Sequence, residues 1–463
     1  MVMVLTGESL VSRRMSVFRE EKFLELVRIL RESDVSFTNA EMLFHNYEPA
    51  PGVEHSGTWM RAEPALIGEL KWLGIDAVSC AMNHGYDFGE QGVMINIDNL
   101  DRYDMPHAGT GPTLTLARAP AYVDTPNGRV ALLAACDHMQ VPGGRAVDSR
   151  PDMRGKPGVN EFTVHPVSTV DAQAFQELKR ISVELGWEAR KQARLQSRWP
   201  LHVEIDTETL LYFGGDNRHP AMRFQLGTGF QSNIVIDEAD LEDTAKWIAD
   251  ARRMADWVIF SFHCGYPGPT ADAPPGHLVT LAKRIIDAGA DVFVGHGPHR
   301  DRGIEVYRGK PIFYSLGDFI LQNDTVLRQP SVAYSRYRLD QCATPADFYE
   351  ARSGNQTRGQ DVNKLLWQTV VARVEWKARK LTRIVLYPID LGMRLPRGQR
   401  GRPVLADGDV AQEILGRVKQ MSAPLGTRID IEENQGQILA AEPQLETRPQ
   451  IHSPWRGDPR DAR

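Results

Sequence analysis

His296 and His299 stand three residues apart in the stretch ADVFVGHGPHRDR (290–302), directly after a run of strand formers that ends at Gly295. Imidazoles in such a setting can ligate a metal ion or move protons, because an unperturbed histidine titrates at about pH 6.5. The same placement recurs along the chain. Gly7-Glu8-Ser9 follows VMVLT, Asn39-Ala40-Glu41 follows DVSFT, and Asn83, His84 and Asp87 follow DAVSCA. His263 follows DWVIFSF, and Gly317-Asp318 follows PIFYSL. Six expected strands thus release carboxylates, amides or imidazoles at their carboxyl ends, which is the edge of an α/β sheet where ligands bind. One composite site is the economical reading.

Each residue also has a local alternative. Glu8 is a plausible helix-start carboxylate, and Asn39 and Asn83 are natural turn residues. Asp87 could cap a helix over EQGVMINIDNL, and His263 could be a satisfied core histidine. Asp318 reads as a structural turn residue rather than a catalytic one. The other histidines, His45, His55, His107, His138, His165, His202, His219, His277 and His452, lack a strand-end setting and read as solvated or locally bonded.

The elements that must position these groups alternate. Strand VMVLT precedes the amphipathic EEKFLELVRILRES, and DVSFT precedes EPALIGELKWLG, a helix closed by Gly74. DAVSCA and RVALLAAC are strands; LEDTAKWIADARRMA and HLVTLAKRIIDAG are helices leading into DWVIFSF and DVFVG. GIEVYRGKPIFYSL reads as a hairpin turning at Arg308-Gly309. Strand and helix in alternation predict an α/β fold with covered sheet faces. Residues 140–235 break the rhythm with a Gly/Pro-rich loop, a helix over 171–197 and YFGGDNRHP. They read as an insertion whose Trp187, Trp199, Tyr212 and Phe213 could wall a peptide or pack a core. The expected organisation is a core over 1–330 with that insertion, further strands and a helix over 331–440, and a disordered tail over 441–463.

Composition narrows the function classes. The chain of 463 residues carries a net charge of -6, with 42% hydrophobic and 25% charged residues, an ordinary globular balance that argues against nucleic-acid and anionic-membrane partners. No apolar run reaches the roughly 20 residues of a transmembrane helix. The basic pair in MVMVLTGESLVSRR follows the apolar run, the reverse of a signal peptide, so this segment reads as a first strand. A cytoplasmic location, or a leader already removed, is the expectation. Cys80, Cys136, Cys264 and Cys342 are far apart and read as reduced thiols, the first three buried.

The blocks TGESL, FTNAEMLF, VSCAMNHGYDFGEQGV, SFHCG and GADVFVGHGPHRDRGIEVYRGKPIFYSLGDFIL, in that order, resemble CapA-like proteins. These form the poly-γ-glutamate synthesis family within the calcineurin-like metallophosphatase superfamily. The resemblance spans about residues 4–325 and the elements near 365–432. It implies a calcineurin-like α/β/β/α sandwich with a metal site at the strand ends. Glu8 matches the first acidic position, Asn39 and Glu41 the second block, Asn83 and His84 the Asn-His block, His263 the lone histidine, and His296 and His299 the closing block. The chain departs from the parent superfamily in lacking the Asp-x-His opening, in offering Asn39 for an aspartate, and in separating His296 from His299 by two residues rather than one. Those departures remove the bridging carboxylate chemistry that two transition metals about 4 Å apart require.

Glu8, Asn39, Glu41 and Asn83, with water, suit one calcium- or magnesium-like ion. His263 and His296 extend the ligand set, and the four strand-end histidines could instead favour zinc or manganese. Acid–base roles fall to His84, Asp87, His263, His296 and His299. Three functions follow. The favoured one is Cα epimerisation of a peptide residue, which the resemblance permits because CapA-like branches include peptide epimerases. The second is metal-dependent hydrolysis of an amide, as in poly-γ-glutamate, or of a phosphoester. The third is a non-catalytic role in poly-γ-glutamate assembly. The partner in each case is a peptide- or polyglutamate-like substrate.

Overall fold

The protein is described by a computed structural model that covers residues 1–52, 54–197, 203–215 and 220–439. The tail expected to be disordered, and Trp199, His202, His219 and His452, lie outside the described residues.

Eleven strands and five helices position the site. They are β1 (Val2–Leu10), β2 (Val35–Ala40), β3 (Ala77–Ser79), β4 (Gly128–Cys136), β5 (Trp257–His263), β6 (Val292–His296), β7 (Ile304–Tyr307), β8 (Lys310–Phe313), β9 (Asp318–Leu321), β10 (Gln368–Lys377) and β11 (Lys380–Asp390), with α1 (Glu21–Arg31), α2 (Ala65–Leu73), α3 (Glu238–Met254), α4 (Gly276–Ala288) and α5 (Gly408–Ser422). Among the described residues β11, β10, β1, β2 and β3 lie side by side in a ten-stranded mixed sheet, with β9 also on β1. A six-stranded sheet carries β7, β8, β6, β5 and β4 in that order.

The strand sequences read as unbroken apolar runs because both faces are buried. Alternate residues explain the layers. Met3, Leu5 and Phe37 of the first sheet meet Leu132, Ile259, Val294 and Phe313 of the second in one apolar layer between the sheets. Val4 and Val78 point the other way, under Phe23, Leu26 and Leu30 of α1 and Leu66, Ile67 and Leu70 of α2. On the far side, Phe260 and Phe293 are covered by Ile248 of α3 and by Leu278, Leu281 and Ile285 of α4. The fold is a mixed α/β architecture of two facing sheets with helices outside them. No helix among the described residues is long and apolar enough to cross a membrane.

The hairpin turns where expected, with Arg308 at φ 51° and Gly309 at φ 74°, the pair of left-handed residues that a tight hairpin between twisted strands demands. Two expectations are corrected. The helix over 171–197 is two helices, Ala172–Glu184 and Trp187–Leu195, because Gly186 between them adopts φ 71°. The inserted segment is also more than helix and loop. It builds a four-stranded sheet from Val164–Val170, Leu210–Phe213, Met222–Leu226 and Gln231–Ile236. Trp187 stacks near Phe213, and Phe213 near Phe224, so these aromatics pack within the insertion.

Candidate functional site

Glu8 sits where three parallel strands line up. On β1 it is in register with Asn39 of β2 and Asp318 of β9, and the pairing slips beside it on both sides. The slip lets β1 exchange neighbours: Val2–Leu5 pair with β10, whereas Glu8–Leu10 pair with β9. Gly7 makes this possible. A Cβ there would lie 2.0 Å from the Gly317 carbonyl oxygen, which accepts the Glu8 N–H at 2.9 Å. Gly7→Ala is therefore expected to destabilise the fold by about 3 kcal/mol or more, since backbone cannot yield as a side chain does. Denaturant unfolding with an unchanged midpoint would contradict this.

From the first sheet the Glu8 carboxylate reaches the second. Oε1 accepts the Gly297 N–H at 2.8 Å and lies 3.1 Å from His263 Nδ1. Oε2 lies 3.0 Å from His299 Nδ1. That nitrogen is also 2.8 Å from Asp318 Oδ1 and 3.6 Å from Glu41 Oε2. His263 and His296 are lateral neighbours on β5 and β6. His299 holds φ 55°, a left-handed conformation uncommon for a residue with a Cβ and a mark of local constraint at functional sites.

A second lobe forms beyond β3. His84 Nδ1 and Asp87 Oδ2 are 2.7 Å apart, and the same oxygen accepts the Met60 N–H at 2.8 Å. His55 Nε2 lies 3.2 Å from Asp87 Oδ1, while its Nδ1 accepts the Gly57 N–H at 3.1 Å and its ring lies against Trp59. The lobes adjoin, since the Asp87 charge is felt at Glu41.

Charge is distributed unevenly. Burial alone would raise Glu8, but His299 and His263 beside it hold it well below the usual carboxylate range. Burial and the Glu8 charge push Glu41 well above that range. Asp318 rises to about 7, chiefly through burial, against the pull of His299. Burial opposes a charge on His299, yet Glu41, Asp318 and Glu8 together raise it well above an ordinary imidazole. His296 is pushed down to about 3, mainly by burial, and is neutral. Burial works against an ionised Asp87, but His84 and His55 prevail and lower it.

Three carboxylates and one imidazolium leave the centre short of positive charge, and its buried polar atoms are short of partners. Both side-chain polar atoms of Asn39, both oxygens of Glu41, Asp318 Oδ2 and both ring nitrogens of His296 lack a hydrogen-bond partner, as does Asn83 Oδ1 next to His84. Unsatisfied buried groups are costly, and so many in one place fit a cation and its water. Glu8, Glu41, His299 and Asp318 offer ligand atoms within 4.8 Å of one another, and so do His55, His84 and Asp87.

The strand-end residues Glu8, Asn39, Glu41, His263, His296 and His299 are thus gathered at one edge, with His84 and Asp87 adjoining. Several local alternatives fall. Glu8 lies inside a strand, not at a helix start. Asp87 makes no cap, because the helix Gly89–Arg102 starts from Phe88 and the Asp87 carboxylate is spent on Met60 and two histidines. Asp318 is corrected from a structural turn residue to a member of the centre. The register with Glu8 puts its carboxylate on His299. His55 is locally bonded, as one of the two readings had it, through the Gly57 N–H, but it is also buried on Asp87, a role in the site that was not expected. Its loop position carried no periodic signal. The Gly297 N–H, a backbone donor, is invisible to residue type.

Residues 3–323 match the family described as bacterial capsule synthesis protein PGA_cap. The chain is 32% identical over 448 residues to an uncharacterized protein, y4sH, of Sinorhizobium fredii, covering 94% of this chain and 92% of that one. It is 37% identical over 119 residues to the PGA biosynthesis protein CapA of Bacillus subtilis, covering 24% of this chain and 30% of that one. A probable polyglutamine synthesis accessory protein of Mycobacterium tuberculosis is 43% identical over 79 residues, which are 17% of this chain and 20% of that one. By its match and by the blocks that build the site, the chain belongs to the CapA-like PGA_cap family of bacterial capsule synthesis proteins.

Proposed function

We propose that the protein is an acid–base enzyme that inverts a Cα centre in a peptide- or polyglutamate-like substrate, on a calcineurin-like scaffold. One observation carries this reading. Two imidazoles are each held at Nδ1 by a buried carboxylate, His84 by Asp87 and His299 by Asp318. Asp87, held low, only accepts, so His84 carries its proton on Nδ1, and His299, raised well above an ordinary imidazole, carries one there as well, which makes Nε2 the working atom of each. His299, with a third of its side chain exposed, is the most accessible member of its cluster.

His84 Nε2 takes the Cα proton. His299, an imidazolium, returns one from Nε2 to the opposite face, and the reverse reaction exchanges the roles. Asp87 and Asp318 fix ring orientation, and Glu8 and Glu41 keep His299 charged. Asn39, Glu41, Asn83 and His296, with Glu8, have the unpartnered atoms to hold one divalent ion. The oxygen-rich set favours calcium or magnesium over zinc or manganese. Such an ion would supply positive charge against the enolate-like oxygen.

The names of the Bacillus and Mycobacterium relatives support a glutamyl polymer as the substrate class. The word accessory in the second name favours a rival reading, assembly without chemistry. Free, mostly buried cysteines support a reducing, cytoplasmic location. Incubating the protein with a poly-γ-glutamate oligomer of one configuration in deuterium oxide tests the proposal. Deuterium at Cα with inverted residues and unchanged chain length is expected. Shortened chains would mean a hydrolase, and an unchanged polymer an assembly role; either overturns the epimerase.

A further inference from the structure

At the carboxyl ends of β4 and β5, next to His263, lies a cluster of different chemistry. Asp137 follows β4, Cys264 follows β5, and His277 stands in the first turn of α4. All three are buried or nearly so: the side chains of Asp137 and His277 are 0% and 4% exposed, and Cys264 is 2% exposed. His277 Nε2 is 2.9 Å from Asp137 Oδ2 and 3.6 Å from Cys264 Sγ, and Asp137 Oδ1 accepts the Gly265 N–H at 2.8 Å. One sulfur, one nitrogen and one oxygen from three elements lie within 4.8 Å of one another.

From this geometry we infer a second metal site, in which Asp137, Cys264 and His277 bind a zinc-class transition metal ion. A tetrahedral ion with sulfur at about 2.3 Å and nitrogen at about 2.0 Å holds the two about 3.5 Å apart, close to the separation of Cys264 and His277. The Asp137–His277 pair must open by about half an ångström to share the same ion. A thiolate beside imidazole and carboxylate selects zinc, cobalt or iron over the hard ions suited to the Glu8 centre. Burial and the neighbouring Asp137 charge hold the Cys264 thiol well above its usual range, so an ion must displace its proton, and Arg302 is the cation that works against them. Arg302, 3% exposed, lies in the field of Cys264 with its Nε and Nη1 unpartnered. The sulfur itself makes only long contacts, at 3.6 Å to His277 and 3.8 Å to the Tyr266 carbonyl.

Binding balances simply. The ion displaces one proton, that of Cys264 Sγ, and the His277 ring binds through Nε2 as the tautomer that carries its single proton on Nδ1. Tyr266 and His138 border the cluster, and with three protein donors a water would complete a four-coordinate ion. The ion would tie β4 and β5 to α4 beside His263 and His296, since the Cys264 N–H donates to the His296 carbonyl and the Asp137 N–H to that of His263.

Cobalt(II) titration of the chelator-stripped full-length protein tests the site. A near-ultraviolet thiolate-to-cobalt band is expected, saturating at one sulfur-bound ion per chain. Cys264→Ser should abolish the band, and His277→Gln should weaken the apparent affinity by at least about tenfold. Glu8→Gln and Cys342→Ser should leave it intact, because the Glu8 centre has no thiol and Cys342 is exposed and remote. No band in the wild-type protein, or a band that survives Cys264→Ser, would overturn the inference. Should Cys264→Ser fail to fold, the wild-type spectrum and the His277→Gln titration still decide it.

Discussion

Glu8→Gln is expected to weaken divalent-ion binding at the main centre by at least about 100-fold, read by elemental analysis after dialysis and by calorimetry. The carboxylate joins both sheets at the site, through Gly297, His263 and His299. Glutamine keeps its shape but loses its charge, and its amide nitrogen must face either the His263 or the His299 side of that junction. Stability should move the same way. His299 and His263 hold Glu8 well below the usual carboxylate range, so its charge stabilises the folded state at neutral pH. The ion-free variant should therefore melt below the ion-free parent, the relief of Glu41 and Asp318 offsetting only part of the loss. Added calcium or magnesium should stabilise the parent alone, by linkage. An ion content equal to the parent's would remove Glu8 from the centre.

The second large effect separates two catalytic hands. His84→Gln and His299→Gln should each reduce net epimerisation by about 10²- to 10⁴-fold, the usual worth of a positioned acid or base. The losses should differ in kind. A variant lacking one imidazole can still deprotonate the configuration served by the other. Each should therefore retain solvent-deuterium exchange into one configuration of the substrate, and the two should retain opposite ones. If both variants exchange the same configuration, or neither loses turnover, the paired-imidazole scheme fails. Asp87→Asn and Asp318→Asn should follow their own histidines, because each carboxylate fixes one ring.

Much of this could be read in the residues before any coordinates. The strands and helices of the two sheets announced themselves by unbroken apolar runs, by amphipathic spacing and by Gly74 and Gly289 as stops. Polar residues at strand ends marked the edge where Glu8, Glu41, His263 and His299 meet. What escaped reading has physical causes. Asp318 looked local because its partner, His299, is made a neighbour only by pairing β9 with β1. His55 and His277 sit outside strands, so nothing periodic flags them. The weakly apolar strands of the inserted segment are mostly half-buried and lack the strong alternation of a core strand. The helix expected over 171–197 ran through Gly186, whose left-handed backbone splits it in two.

The exchange of neighbours along β1 also constrains how the molecule can be made. Val2–Leu5 lie against Val374, Arg373 and their neighbours on β10, and the Met1 amino group donates to the Trp376 carbonyl. Once made, β1 must wait, unpaired on that side, for a strand made more than 360 residues later. Long-range closure of this kind is slow and leaves apolar strand edges open meanwhile. A nascent chain halted before residue 368 would present β1 as bare edge, a natural target for chaperones and for aggregation.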